Sequence, residues 1–123
     1  MDDKKSIRVR QRDDGILVFE FYAMHKKAAD EFAAIVRAGM NSVPEKLRVI
    51  YDFSQSPSPT PYFLTLQGKL YNEYPHPADE KSAYVTGIDN NEVWVRIVRK
   101  YLVAKDIMKV FTMREDAIKW LLE

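Results

Sequence analysis

At 123 residues, 46% apolar and 30% charged, the chain can bury one hydrophobic core and reads as one globular domain over 1–123. Nineteen basic against 18 acidic side chains leave a net charge of +1, which removes the global electrostatic case for nucleic acid. Cysteine is absent, which excludes disulfides, thiol catalysis and thiolate metal sites. The charged start "MDDKKSIRVRQRDD" and the lack of any apolar run near the ~20 residues of a membrane span point to a cytoplasmic protein without an integral membrane segment.

In chain order, "SIRVRQR" alternates Ile7 and Val9 against Arg8 and Arg10 and predicts a half-exposed strand. Asp13-Asp14-Gly15 is a turn signal, and the more continuously apolar "ILVFEFY" (Ile16 to Tyr22) predicts the second strand of a hairpin. From Lys26 to about Met40 the period becomes helical: Ala28, Ala29, Phe32, Ile35, Val36 and Met40 face inward, and Lys27, Asp30, Glu31 and Arg37 face away. "LRVIYDF" (Leu47 to Phe53) predicts a buried strand, Tyr62 to Tyr74 a second helix, and "SAYVTGI" (Ser82 to Ile88) another strand. Asp89-Asn90-Asn91 offers caps for a helix from about Glu92 to Lys105; "MKVFTM" is a short last strand and Arg114 to Leu122 a last helix. The order ββαβαβαβα predicts a five-stranded mixed α/β sheet with helices on both faces. The strand Gly15–Tyr22 lies beside Leu47–Phe53, as right-handed crossovers require.

The stretch "DFSQSPSPTPYF" is the most unusual in composition. Ser56, Ser58 and Thr60 each precede a proline, which pushes them to extended backbone, so "SPSPTP" is a stiff strip. At Thr60 an N-cap hydroxyl meets Pro61, a residue suited to the first helical position. The strip also follows the end of a parallel strand, where open α/β sheets gather ligands, although no glycine lets backbone wrap a phosphate. Asp52 at the strand end is a lone carboxylate whose simplest role is to accept hydrogen bonds from loop N–H groups or Ser54. His25 and His76 are the only histidines, too few for a zinc site without carboxylates, so no metal and no cofactor is expected. On "NEVWVRIVRKYLVAK" one arc carries Trp94 and the opposite arc carries Arg96, Arg99 and Lys100 without an acid between them. That is a solvated face or a surface for an acidic partner or lipid headgroups, with three charges too few for a membrane claim. Tyr62, Tyr71, Tyr74 and Phe63 crowd the second helix beyond what one buried face needs, suggesting a self-association edge or one wall of an apolar pocket, although plain core packing accounts for Phe63 and about half of the others.

The element order, "IYDFSQ", "SAYVTGI" and the closing "VFTMREDAIKWL" together resemble the STAS/SpoIIAA-like superfamily from about Gly15 onward. Val110-Phe111, Glu115, Ala117 and Trp120-Leu121 match the ending of its bacterial SpoIIAA-like group, which is related in fold to CRAL-TRIO lipid-transfer domains. The resemblance implies a fold and a habit of protein contact or ligand binding, with no reaction attached. The Asp-Ser-Ser-Gly-like motif phosphorylated in the antagonist proteins of that superfamily is replaced by "SPSPTPYF", so no phosphorylated residue is carried over. The expected function is a non-enzymatic regulatory module working through a protein partner or as a homodimer. The rival is a carrier of a small apolar, lipid-like ligand between the second and third helices. The candidate surface is Asp52, Ser54, Ser58, Thr60, Tyr62, Phe63, Trp94, Arg96, Arg99 and Lys100, with no catalytic residue.

Overall fold

The computed structural model describes residues 6–39, 46–56, 60–73, 79–87, 96 and 107–123. The alternating and apolar segments at the start form β1 (Ile7–Gln11) and β2 (Leu17–Phe21), antiparallel, with Ile7 opposite Phe21 and Gln11 opposite Leu17. Their connection turns at Gly15, whose φ of +89° is open to glycine at no steric cost, while the Asp14 carboxylate accepts the Ile16 N–H at 3.2 Å. Helix α1 (Lys26–Gly39) is capped by His25, whose Nδ1 accepts the Ala28 N–H at 3.0 Å. That bond leaves the ring proton of neutral His25 on Nε2. Ala28, Ala29, Phe32 and Ala33 form the buried stripe of α1.

Then follow β3 (Lys46–Asp52), α2 (Pro61–Glu73), β4 (Asp79–Val85), β5 (Met108–Phe111) and α3 (Arg114–Leu122). The helix expected over 92–105 lies outside the described residues except for Arg96, which is helical and exposed. No helix among the described residues is long and apolar enough to cross a membrane.

The sheet order is the chain order, β1-β2-β3-β4-β5, with β2 to β5 parallel and β1 antiparallel beside β2. This is the expected mixed sheet, with Gly15–Tyr22 beside Leu47–Phe53. One boundary is corrected. The strand expected over Ser82–Ile88 runs from Asp79 to Val85. Its first residues, Asp79-Glu80-Lys81, are poor strand formers, but they pair with Lys46, Leu47 and Arg48, and Arg48 Nη2 meets Asp79 Oδ1 at 2.7 Å. Tertiary pairing overrides local propensity here.

The pleat sends alternate side chains to two separate cores. One face carries Phe19 and Phe21 of β2, Val49 of β3, Phe53 and Tyr84, and packs under α1 and α2 with Phe32, Phe63 and Leu64. Phe19, Tyr51 and Tyr84 lie in register across three strands, with ring centroids 5.5 Å and 5.1 Å apart. The other face carries Ile16, Val18, Ile50, Ala83 and Val85 against Ala117 and Leu121 of α3. Ala117 is fully buried; its single methyl lets α3 sit close to the sheet, as the closing motif predicts. Helices therefore cover both faces, α1 and α2 on one and α3 on the other.

Candidate functional site

Parallel strands bring their C-terminal ends to one edge, and a cleft of about 560 Å³ opens there, reached by the ends of β2, β3, β4 and β5. The register puts Glu20 beside Asp52, and Asp52 beside Val85. Two carboxylates are thus neighbours on the α3 face of the sheet, each nearly buried, at 8% and 6% exposure. Left alone, adjacent like charges in a poorly solvated place would repel.

Arg114, the first residue of α3, resolves the repulsion. Its Nη2 donates to Glu20 Oε2 at 2.7 Å and to Asp52 Oδ2, and its Nε donates to Asp52 Oδ2 at 3.0 Å. Arg10 Nη2 reaches Glu20 Oε2 at 2.9 Å from the neighbouring strand, and the Tyr22 hydroxyl donates to Glu20 Oε1 at 3.3 Å. Burial pushes the Glu20 carboxyl up, but hydrogen bonds from Arg114 and Arg10 outweigh it and hold the group below its ordinary range. For Arg114, burial works against the charge and the two carboxylates outweigh it, leaving the guanidinium more firmly protonated than usual.

Asp52 Oδ1 takes the remaining bonds: the Ser54 N–H at 2.9 Å and the Ser54 hydroxyl at 2.6 Å. This Asx-type closure bends the chain out of β3. Gly87 backs it from β4. Its φ is +80°, which favours glycine, while a Cβ there would meet the Ser54 Cβ at 3.4 Å, an ordinary van der Waals contact. Its N–H donates to the Thr112 carbonyl at 3.1 Å, joining the loops after β4 and β5. The rim is open and mixed, with Tyr22 41% and Met113 47% exposed beside the exposed Ser54 and Gln55.

Of the residues marked in the sequence, the fold brings Asp52 and Ser54 into this cleft. Thr60 stands at the start of α2, where its Oγ1 accepts the Phe63 N–H at 3.2 Å, an N-cap bond. Thr60→Ala is expected to cost about 1 kcal/mol in a thermal melt and Thr60→Asp little, because aspartate caps equally well and its charge suits a helix N-terminus. Tyr62 is exposed yet engaged: its hydroxyl donates to Asp30, and the Lys26 ammonium lies 5.1 Å from its ring centre, so it ties α2 to α1. Phe63 is a correction. It is 0% exposed, ringed by Phe21, Phe32 and Phe53 at 5.3–5.7 Å, and is core rather than a wall open to a ligand or partner. The sheet face under α2 is so rich in rings that the helix needs an aromatic to fill it. Ser58, Trp94, Arg99 and Lys100 lie outside the described residues, and Arg96 is an exposed helical residue.

Glu20, Arg10 and Arg114 escaped the sequence reading. Two signals were present: a glutamate inside the apolar run "LVFEF", and an arginine in a first helical turn, where anions are favoured. Among the described residues no group of three or more His, Asp or Glu side chains is arranged to hold a metal ion.

No protein-family model and no curated protein matches the sequence. Solved structures do. An anti-sigma factor antagonist from Mycobacterium paratuberculosis is similar with a TM-score of 0.67 at 14% identity, covering 100% of both chains. An uncharacterised protein of the DUF3478 family with a SpoIIAA-like fold, from Shewanella loihica PV-4, is similar with a TM-score of 0.64 at 14% identity, covering 94% of this chain and 91% of that one. The chain has the STAS/SpoIIAA-like fold.

Proposed function

We propose that this chain, an α/β protein of the STAS/SpoIIAA-like fold, is a non-enzymatic regulatory module that holds a protein partner at the cleft formed by the ends of β2 to β5. The observation that carries this reading is the condition of the cleft floor. All four carboxylate oxygens of Glu20 and Asp52 already accept hydrogen bonds, from Arg10, Arg114, Tyr22 and Ser54. Those bonds take every lone pair but one, on Glu20 Oε1, which holds only the 3.3 Å bond from Tyr22. A catalytic base needs a free lone pair aimed at substrate, so a floor this nearly satisfied under an open rim suits contact better than proton transfer. The antagonist named above, which shares this fold, supports a regulatory role. The phosphoswitch has no part in this reading, because "SPSPTPYF" offers no Asp-Ser-Ser-Gly-like motif.

The cleft volume, about 560 Å³, also falls within the ~300–1,000 Å³ of small-molecule sites, so a carrier of a small apolar ligand is the second reading. Affinity capture from native lysate, using wild type, Met113→Glu in the rim and Glu31→Lys on the exposed side of α1, separates the readings when joined to native mass spectrometry. A protein held by wild type and Glu31→Lys but lost with Met113→Glu supports the partner reading. A co-purifying small molecule displaced by Met113→Glu supports the carrier. Capture indifferent to Met113→Glu would remove the cleft from both. Light scattering on the same samples tests the homodimer.

A further inference from the structure

The opposite end of the α3 face has a different character. Alternation along the strands puts Lys46 and Arg48 of β3, Asp79 and Lys81 of β4 and Lys109 of β5 on the same face, at the end of the sheet away from the cleft. Trp120 of α3 lies over them, with the Lys81 ammonium 5.0 Å and the Lys109 ammonium 5.5 Å from its ring centre. Both distances fall within reach of a cation–π interaction. Lys119, the residue before Trp120 on α3, is exposed, as is Leu122, at 52%.

Part of this charge has a structural purpose. Arg48 Nε donates to the Leu121 carbonyl at 3.0 Å and Lys81 to the Trp120 carbonyl at 3.3 Å, satisfying carbonyls at the C-terminus of α3 and facing the negative end of its dipole. Arg48 also neutralises Asp79, whose carboxyl its hydrogen bond holds below the ordinary range. Capping does not account for the rest. Among the described residues Lys46, Lys109 and Lys119 form no ion pair, and Asp79 is already taken. The exposed Glu123 at the end of α3 is likewise in no ion pair. Among the described residues this end of the face thus gathers several ammonium groups outside any ion pair, with Asp79 the one carboxylate whose charge reaches Lys46 and Lys81.

We infer that this face, Trp120 with Lys46, Lys81, Lys109 and Lys119, is a second interaction surface, whose occupant is an acidic segment of a partner protein carrying apolar residues between its carboxylates. Charge complementarity identifies the sign of the occupant. The indole identifies its kind. It holds two ammonium groups at fixed positions, so their order is in place before binding, and tryptophan is among the residues that most often anchor a protein interface. An anionic lipid surface would attract the same lysines, but a half-buried indole offers too little exposed apolar area to enter a bilayer.

The probe is a short fluorescein-labelled peptide alternating glutamate with leucine, compared with the same peptide carrying glutamine. Fluorescence anisotropy is read with wild type, with Lys109→Gln/Lys119→Gln, and with Lys27→Gln/Lys69→Gln, which removes the same charge from the far helices. The Lys109 and Lys119 side chains make no hydrogen bond or ion pair, so a thermal melt of that variant should fall by no more than the loss of the Lys109 contact with Trp120. The expected result is saturable binding of the acidic peptide that weakens about tenfold or more in Lys109→Gln/Lys119→Gln, fades with salt, and is unchanged in Lys27→Gln/Lys69→Gln. Equal binding of the glutamine peptide, equal loss in both lysine pairs, or no saturable binding would overturn the proposal. So would phosphatidylserine vesicles that bind wild type and not Lys109→Gln/Lys119→Gln while the peptide fails.

Discussion

Arg114→Ala should lower stability at neutral pH by about 2–4 kcal/mol, more than any other polar substitution at the cleft, because it strips the shared cation from two nearly buried carboxylates. The cost comes less from the lost bonds than from what remains: Glu20 and Asp52 as register neighbours, with only Arg10 near one of them. The arginine side chain is 30% exposed, so water screens part of the effect, and the figure sits below that for a wholly interior pair. Removing the repulsion should restore stability. Arg114→Ala combined with Glu20→Gln and Asp52→Asn is expected to recover at least half of the loss.

The pH dependence gives an independent reading. Glu20 has a folded pKa depressed below its ordinary 4.5, so its contribution is complete above that value and disappears as pH falls through the folded pKa. The gap between wild type and Arg114→Ala should therefore be full at pH 6–7 and narrow steadily below about 4.5. Urea titrations at a series of pH values measure it directly. A loss under ~1 kcal/mol, or one of constant size across that range, would show that the triad is ornamental.

Phe63→Ala should be the most damaging single change in the aromatic core, at about 3–5 kcal/mol, because the emptied ring position is walled by Phe21, Phe32 and Phe53 and cannot collapse. In a chain of this size that is a loss of roughly 10–20 °C in Tm. Phe63→Leu should cost about 1–2 kcal/mol, since most of the volume is kept while the edge-to-face ring contacts go. If Phe63 instead formed the wall of a ligand pocket, truncation would leave stability nearly intact and change only ligand binding; a urea midpoint close to wild type would support that.

What could be read from the residues, and what could not, divides along sequence distance. Thr60-Pro61 was legible because an N-cap and its proline are decided within one helical turn, and the hydrogen bond to the Phe63 N–H is where that chemistry puts it. That the Gly15–Tyr22 strand lies beside Leu47–Phe53 followed from the crossover rule, while the order of the later strands did not. Asp52 and Ser54 were legible as a strand end and its turn. Arg114 was not, since its partner lies 62 residues earlier and nothing local announces the pairing. Glu20 was hidden differently: "LVFEF" reads as uniformly buried, and only the two arginines reaching it explain why a carboxylate is tolerated there. Phe63 was misjudged because an apolar surplus on one helix can be weighed only against the rings that other strands send to the same face.

The sequential sheet order has a consequence for how the protein is made. Each strand pairs with the one synthesised just before it, so on a ribosome the ladder can grow from β1 onward without waiting for distant partners. The face under α1 and α2 can close stepwise as those helices emerge. The other face cannot. Among the described residues the cover for Ile16, Val18, Ile50, Ala83 and Val85 comes only with α3, the last of the described elements. Throughout elongation a growing strip of aliphatic side chains faces the solvent, which makes the nascent chain a client for holding chaperones. Stalling the ribosome before Arg114 should hold the chain in that state.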